Sequence, residues 1–270
     1  MPGRVVAIDI GNSRINMGVF EGENLVSTYI TPTDAPEEAV SFLNSHRNAP
    51  LEKIALASVV PSAQETLIRH YSQNINQGNS SSNSSSNLFC LTAENQKSVK
   101  NIYQTAGADR IANATAARSL HLSQDAAPAA VVLDFGTATT LTAVSKQGEF
   151  LGGFITLGLG RTLSALNSST AQLPAVKFEP GALDTKKLKP AFNTSDAIYN
   201  GTILAHVGLV NFWLETALKD LPKGTIVIAT GGLSTILGPH IDGINVIDQN
   251  LTLKGIKIAA EEAVVPADPN

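Results

Sequence analysis

One cysteine, Cys90, is all the thiol that this 270-residue chain carries, so no internal disulfide can staple it, and a reducing compartment fits. With no other Cys or His close by in sequence, Cys90 reads as a small buried apolar residue. The five histidines are scattered, and no two stand at metal-ligand spacing. No long uninterrupted apolar run occurs, so no membrane-spanning helix is expected. No Gly-x-x-x-x-Gly-Lys-Ser/Thr occurs either, which excludes a P-loop nucleotide site. A basic stripe is missing too. The net charge is −4, and the densest basic stretch, Lys186-Lys187-Leu188-Lys189, reads as a solvated loop, so nucleic acid is not an expected partner. The amino terminus enters a strand directly after Met1-Pro2-Gly3-Arg4, without the apolar stretch of a secretory signal. A soluble, cytoplasmic protein is therefore expected. Residues 77–87, rich in serine and asparagine, have nothing to bury and read as a mobile surface loop.

What the chain has instead is one device written twice. Val5-Val6-Ala7-Ile8-Asp9-Ile10-Gly11-Asn12-Ser13 is answered by Ala130-Val131-Val132-Leu133-Asp134-Phe135-Gly136-Thr137-Ala138. Each is an apolar run, an aspartate, a glycine and then small polar residues. Each leads into a second run, Met17–Phe20 or Leu141–Val144. The pattern is strand, tight turn, strand, with a carboxylate at the turn. Glycine lets backbone approach a phosphate closely, and successive N–H groups form an anion-binding concavity. Asn12, Ser13, Thr137, Thr139 and Thr140 add short donors. A bare carboxylate repels phosphate, so Asp9 and Asp134 make sense beside a cation such as magnesium, which takes one or two carboxylates plus waters and phosphates. One such turn is also what an ordinary hairpin shows. Two in matching contexts point to two similar halves facing each other across a cleft.

Between the hairpins, apolar spacing predicts a strand at 25–30, a helix at 35–46, a buried strand at 53–60 and a helix at 62–71 capped by Ser62. A short strand at 88–91 and an alanine-rich helix at 110–120, with Asp109 as its N-cap, follow. After the second hairpin, Gly148 and Gly152-Gly153 bracket a short strand, residues 159–167 read as a helix and 174–193 as a loop. A long helix at 196–218, broken near Gly208, offers Ile198, Ile203, Leu204, Val207, Val210 and Leu214 to the core. The apolar strand Thr225–Ala229 ends in Thr230-Gly231-Gly232-Leu233, where paired glycines let a flat ligand such as a nucleoside lie against backbone. Alternating strands and helices argue for an α/β architecture, and 43% apolar residues support a substantial core.

Hairpin, hairpin and Gly-Gly follow the order of the phosphate-1, phosphate-2 and adenosine segments of the actin/hexokinase/Hsp70 ATPase superfamily. Within it, the chain resembles the type III pantothenate kinases. Asp9-Ile10-Gly11-Asn12-Ser13 is similar to their D-x-G-N-T, and Ser58-Val59-Val60-Pro61 to their S-V-V-P. Gly107-Ala108-Asp109-Arg110 matches G-A-D-R, and Asp134–Thr140 matches D-F-G-T-A-T-T. The last two at this spacing are the specific part, and the resemblance spans roughly residues 4–258. It implies two similar actin/ribonuclease H-like domains, 1–120 and 121–270, with an interdomain nucleotide cleft. It also implies ATP-dependent phosphorylation of pantothenate, the first step toward coenzyme A, with magnesium, a monovalent cation (potassium or ammonium) and a homodimer.

Carried over by motif, Asp109 is the implied general base, with Gly107, Ala108, Arg110 and Tyr103 at the substrate. Asp9, Ile10, Gly11, Asn12, Ser13, Arg14, Ile15 and Asn16 are implied to bind ATP phosphates, with Asp9 near magnesium. Asp134 is implied to hold the monovalent cation, Thr137 the phosphates, Gly231 and Gly232 the nucleoside, and Thr194 pantothenate from the partner subunit. Arg110 suits a substrate carboxylate, which a guanidinium holds with two bonds. The chain departs from the family where Lys100–Ala106 carries no proline and where G-K-N-T becomes Ala191-Phe192-Asn193-Thr194. Those departures leave open a non-catalytic, accessory-factor relative of the same fold that binds nucleotide. Intact Asp9, Asp109 and Asp134 argue for the kinase.

Overall fold

Ten strands among the described residues make two five-stranded sheets of the same plan. The structure, a computed structural model, describes residues 3–46, 51–75, 87–122, 127–181 and 183–263. The serine-rich loop expected at 77–87 lies, but for Asn87, outside them. In the first sheet β1 (Arg4–Ile10), β2 (Arg14–Glu21) and β3 (Asn24–Pro32) form an antiparallel meander. After α1 (Pro36–Ser45), β4 (Leu51–Ser58) joins β1 in parallel, and after α2 (Pro61–Ile75), β5 (Leu88–Cys90) joins β4. The order is β3-β2-β1-β4-β5. Helix α3 (Ala108–His121) follows.

The second sheet repeats this. The strands β6 (Ala129–Phe135), β7 (Ala138–Ser145) and β8 (Phe150–Leu157) are the meander, followed by α4 (Leu159–Ser168) and α5 (Thr194–Asp220). Strand β9 (Ile226–Thr230) pairs parallel to β6, and after α6 (Ser234–Leu237), β10 (Val246–Ile247) pairs with β9. Helix α7 (Leu251–Glu262) ends the described chain. The expected α/β class, with two similar halves, is what the sheets show.

The central strands are near-continuous apolar runs because both of their faces are covered. On β1, Val5 and Ala7 pack with Ile111 and Ala112 of α3 and with Leu253, Ile256 and Ala260 of α7. Val6, Ile8 and Ile10 pack the other way, on Ala39 and Leu43 of α1 and Ala63 and Leu67 of α2. Side chains alternate along a strand, so Asp9 stands on the α3 and α7 face. On β6, Val131, Leu133 and Phe135 pack on Ile203, Val207, Val210 and Leu214 of α5. Asp134, one step out of phase, stands on the face away from α5.

The chain divides into one unit of residues 1–119 with 251–270 and a second of residues 120–250. Helix α7 is part of the first unit. Its apolar side completes the core of the first sheet. Its Gly255 lies so close to Ala112 of α3 that a Cβ would overlap the Ala112 carbonyl oxygen. Lys257 of α7, almost fully buried, donates to Glu23 at 2.8 Å and Glu261 at 2.9 Å. Burial alone would push its ammonium pKa down, and those two carboxylates more than offset this and leave it raised.

Other expectations shift. Pro61, not Ser62, opens α2, since a proline's missing N–H and fixed φ suit the first helical position. Gly152 and Gly153 lie inside β8 rather than bounding it, where the β7–β8 register slips and Gly152 takes a φ of 113°. Helix α5 runs 27 residues without a break. Gly208 faces outward, and the buried stripe on the opposite side holds the helix to the sheet through it. Leu204 is exposed, not core. The described residues between 174 and 193 are coil except for one 3-10 turn at Thr185–Lys187. Cys90 is half-buried, and burial raises its thiol pKa.

Candidate active site

The turn between β1 and β2 is closed by Gly11 N–H donating to the Arg14 carbonyl at 3.0 Å. It is braced from the residue that follows β3, where the Thr33 hydroxyl donates to the Gly11 carbonyl at 2.7 Å and the Thr33 N–H to the Ser13 carbonyl at 3.3 Å. Thr33 is a positioning residue that the sequence reading missed, because its contact depends on β3 folding back beside β2. Asp9 is partly buried and accepts from the Asn16 amide at 3.1 Å. Ile10 and Ile15 bury their side chains completely in the core, so only their backbone is available to a phosphate. Asn12 and Arg14 are exposed at the tip, and Ser13 is partly so.

Val59 ties this turn to the next feature. Its N–H donates to the Ile10 carbonyl at 3.0 Å, and its side chain lies beside Gly107. Gly107 precedes α3, and a Cβ there would overlap Asp109 Oδ1, because the carboxylate folds back over the glycine. Asp109 is therefore in the first turn of α3 rather than its N-cap. Its Oδ1 accepts the Arg110 N–H at 2.8 Å. Burial pushes its carboxyl pKa above the ordinary value, against the opposing pull of the Arg110 amide and guanidinium. Ala108 is core. The Arg110 side chain is buried, donates to the Tyr103 hydroxyl, and has its guanidinium carbon 5.9 Å from the centre of the Tyr103 ring. The first unit thus brings together Asp9 on its sheet face, the Gly11 turn, and the Asp109–Arg110–Tyr103 group.

In the second unit, the turn between β6 and β7 is closed by Gly136 N–H donating to the Ala138 carbonyl at 3.1 Å. Gly158, at the start of α4, donates its N–H to the Thr137 carbonyl at 2.9 Å. A side chain at Gly158 would overlap the Gly136 carbonyl, so the glycine lets α4 abut the turn. Thr139 is buried, and its hydroxyl is 3.0 Å from Nε2 of His206 on α5. Burial lowers the His206 pKa and favours the neutral ring. At the end of β9, Gly231 adopts a φ of 88° and packs against Asp134 and the backbone of Phe135, while Gly232 is exposed. The predicted nucleoside glycine and the predicted cation aspartate are therefore neighbours. Thr194 is the exposed first residue of α5, capped by Asn193, whose side chain accepts from the Asp196 N–H at 2.9 Å. The sequence-predicted residues fall into two sets, one on each unit.

A family model described as type III pantothenate kinase matches residues 5–215. Proteins named type III pantothenate kinase from Rubrobacter xylanophilus and Moorella thermoacetica are 35% and 31% identical to the chain. The alignments cover 94% and 95% of this chain and 96% and 98% of those relatives. Among solved structures, an inorganic polyphosphate/ATP-glucomannokinase from Arthrobacter sp. strain KM aligns with a TM-score of 0.50 at 15% identity, over 97% of this chain and 98% of that one. That likeness is one of fold, the two-part plan of the actin- and hexokinase-like ATPases.

Proposed function

Because this chain belongs to the type III pantothenate kinase family, its reaction is the ATP-dependent phosphorylation of pantothenate in coenzyme A synthesis, and we propose that Asp109 is the general base of that transfer. The observation that carries the assignment is the Asp109 carboxylate itself, raised in proton affinity by burial and held beside Arg110 at the head of α3. A base must reach the proton it takes and have a pKa suited to holding it. As the pantothenate hydroxyl oxygen bonds to the γ-phosphorus, its proton passes to Asp109 and the β–γ bridging oxygen leaves with ADP. Arg110, steadied by Tyr103, presents a buried cation to the carboxylate of pantothenate.

The backbone of the Gly11 turn in the first unit, and that of the Thr137 turn in the second, each offer N–H groups suited to phosphate. Asp9, with one oxygen already engaged by Asn16, has the single-carboxylate character that suits magnesium held largely by water and phosphate. Magnesium, when bound, neutralises charge on the β- and γ-phosphate oxygens. Asp134 would hold the monovalent cation. The non-catalytic alternative is not favoured, since the family match spans most of the chain and all three aspartates stand at their turns.

A homodimer, with Thr194 serving the partner's pantothenate site, is supported by the outer face of α5. Gly201, Leu204, Ala205, Gly208 and Phe212 are exposed in one stripe there, and Phe212 is 65% accessible. Small residues let a second helix approach, and exposed apolar patches mark contact surfaces. Phe212→Glu is expected to halve the mass measured by light scattering; an unchanged mass would remove this face from the interface. The reading places the protein in the cytoplasm, where ATP and magnesium are supplied, and among the described residues no helix is long and apolar enough to cross a membrane.

ADP release by purified protein with ATP, magnesium and potassium tests the activity. It is expected to depend on added pantothenate. Turnover indifferent to pantothenate would overturn the substrate assignment.

A further inference from the structure

Residues 91–107 run from β5 to α3 without a helix or a strand of their own. Coil of this length inside a packed unit is uncommon and is usually functional. It carries Tyr103, whose hydroxyl accepts from the Arg110 guanidinium. Side-chain bonds set its shape at three places. Next to β5, the Asn95 side chain donates to the Cys90 carbonyl at 2.6 Å and accepts from the Thr92 N–H at 2.9 Å. Further on, the Gln96 side chain clasps Val99, accepting its N–H at 2.7 Å and donating to its carbonyl at 2.6 Å. Those two clasps are local. The third is not. The Ser98 hydroxyl, on a residue only 2% exposed, donates to Oε2 of Glu262 at 2.5 Å, across 164 positions of sequence.

Glu262 is the last residue of α7. The final turn of that helix holds Glu261 and Glu262 and no basic residue, although a carboxylate there opposes the helix macrodipole. Glu261 is answered by Lys257 at 2.9 Å, and Glu262 by Ser98. The helix end is itself fixed, because Lys53 of β4 donates to the Ala260 carbonyl at 2.6 Å. Ile102 and Ala106, on either side of Tyr103, rest on the core that includes Ile256 and Ala260 of α7. The end of α7 is thus a post to which the coil bearing Tyr103 is tied.

We propose that Glu262 is a positioning residue for pantothenate. By holding Ser98 it keeps Tyr103 in place against Arg110, and so keeps the guanidinium presented to the substrate carboxylate. The inference rests on the reading of Arg110 as the partner of that carboxylate and adds to it a residue from a helix remote in sequence. Glu262 acts without touching substrate. A coil that holds its competent arrangement for only a fraction of the time lowers the apparent affinity by that fraction, and the transfer step, once pantothenate is bound, is unchanged.

Steady-state kinetics with pantothenate and ATP varied in turn test this. Glu262→Ala is expected to raise the KM for pantothenate about tenfold, as for a coil that is competent about a tenth of the time. Its kcat and its KM for ATP are expected to match wild type. Ser98→Ala should do the same, and the double variant should add little, because each change removes the same bond. Glu262→Gln keeps an oxygen that accepts the Ser98 hydroxyl and is expected to restore the wild-type KM. Lys257→Met, which loosens α7 at another point, is expected to lower the melting temperature and leave the KM for pantothenate alone. A Glu262→Ala variant with the wild-type KM for pantothenate, or one whose rise Lys257→Met reproduces, would overturn the role of Glu262. Arg110→Gln tests the reading underneath. It is expected to raise the KM for pantothenate whatever Glu262 does, and a wild-type value there would overturn the Arg110 assignment itself.

Discussion

Asp109→Asn is expected to lose pantothenate phosphorylation by a factor of roughly 10²–10⁴, the range that a positioned acid or base contributes, while binding ATP as wild type does and melting at a higher temperature at neutral pH. The two effects share one cause. Burial raises the Asp109 carboxyl pKa above its ordinary 3.8, with the Arg110 amide and guanidinium only partly countering it. In the window between 3.8 and the raised folded value, the folded chain binds more proton than the unfolded chain. Stability therefore falls as pH rises through that window and stays reduced above it. Asparagine can still accept the Arg110 N–H but never ionises, so it escapes the penalty. The melting curves of the two proteins should diverge at pH 7 and converge as the pH is lowered toward 3.8. The acidic limb of kcat/KM in wild type should lie above that of an ordinary carboxylate. Loss of ATP affinity in step with turnover would sink the general-base role. A variant less stable than wild type at pH 7 would sink the account of its environment.

Gly231→Ala should damage both stability and catalysis. The φ of 88° there is open to glycine, and an L-residue held in the left-handed region costs roughly 1–2 kcal/mol. A methyl would also overlap Asp134 Oδ1 and lie 2.8 Å from the Phe135 backbone, which is fixed by its pairing with β7. Such overpacking typically costs about 1–3 kcal/mol more. Together these should lower the melting temperature by on the order of 5–15 °C for a chain of this size. Because the displaced group is the carboxylate proposed to hold the cation, turnover should fall about 100-fold or further, as misplacements near 1 Å can do. Calorimetry and ADP release check the two halves. A large fall in melting temperature with turnover unchanged would make the Gly-Gly segment a packing device only.

Much of this was legible in the sequence, and the pieces that were not share a physical reason. The two Asp-x-Gly turns declare themselves because a doubly covered strand must be largely apolar, which leaves the aspartate as the only carboxylate in each strand. Asp109 was legible through its neighbours Gly107 and Arg110, and the structure gives each a contact with it. Local pattern could not say that Ile10, Ile15 and Ala108 turn their side chains into the core. Nor could it place Thr33 under the first turn or Thr230 beside Asp134, since both depend on strand register. Gly208 misled because glycine weakens an isolated helix, while in α5 the buried stripe outweighs it. Amphipathic α7 gave no sign of which sheet it would cover.

That last helix bears on how the protein is made. Residues 120–250 form a unit that is continuous in sequence, whereas the first unit is assembled from both ends of the chain. The first sheet, although synthesised earlier, waits for Leu253, Ile256 and Ala260, so the strands that carry Asp9 are translated first and sealed last. During that delay Val5, Ala7, Phe20 and Ala55 lack the α7 part of their cover. A chain cut short before residue 251 therefore leaves unfinished the half that carries Asp9 and Asp109.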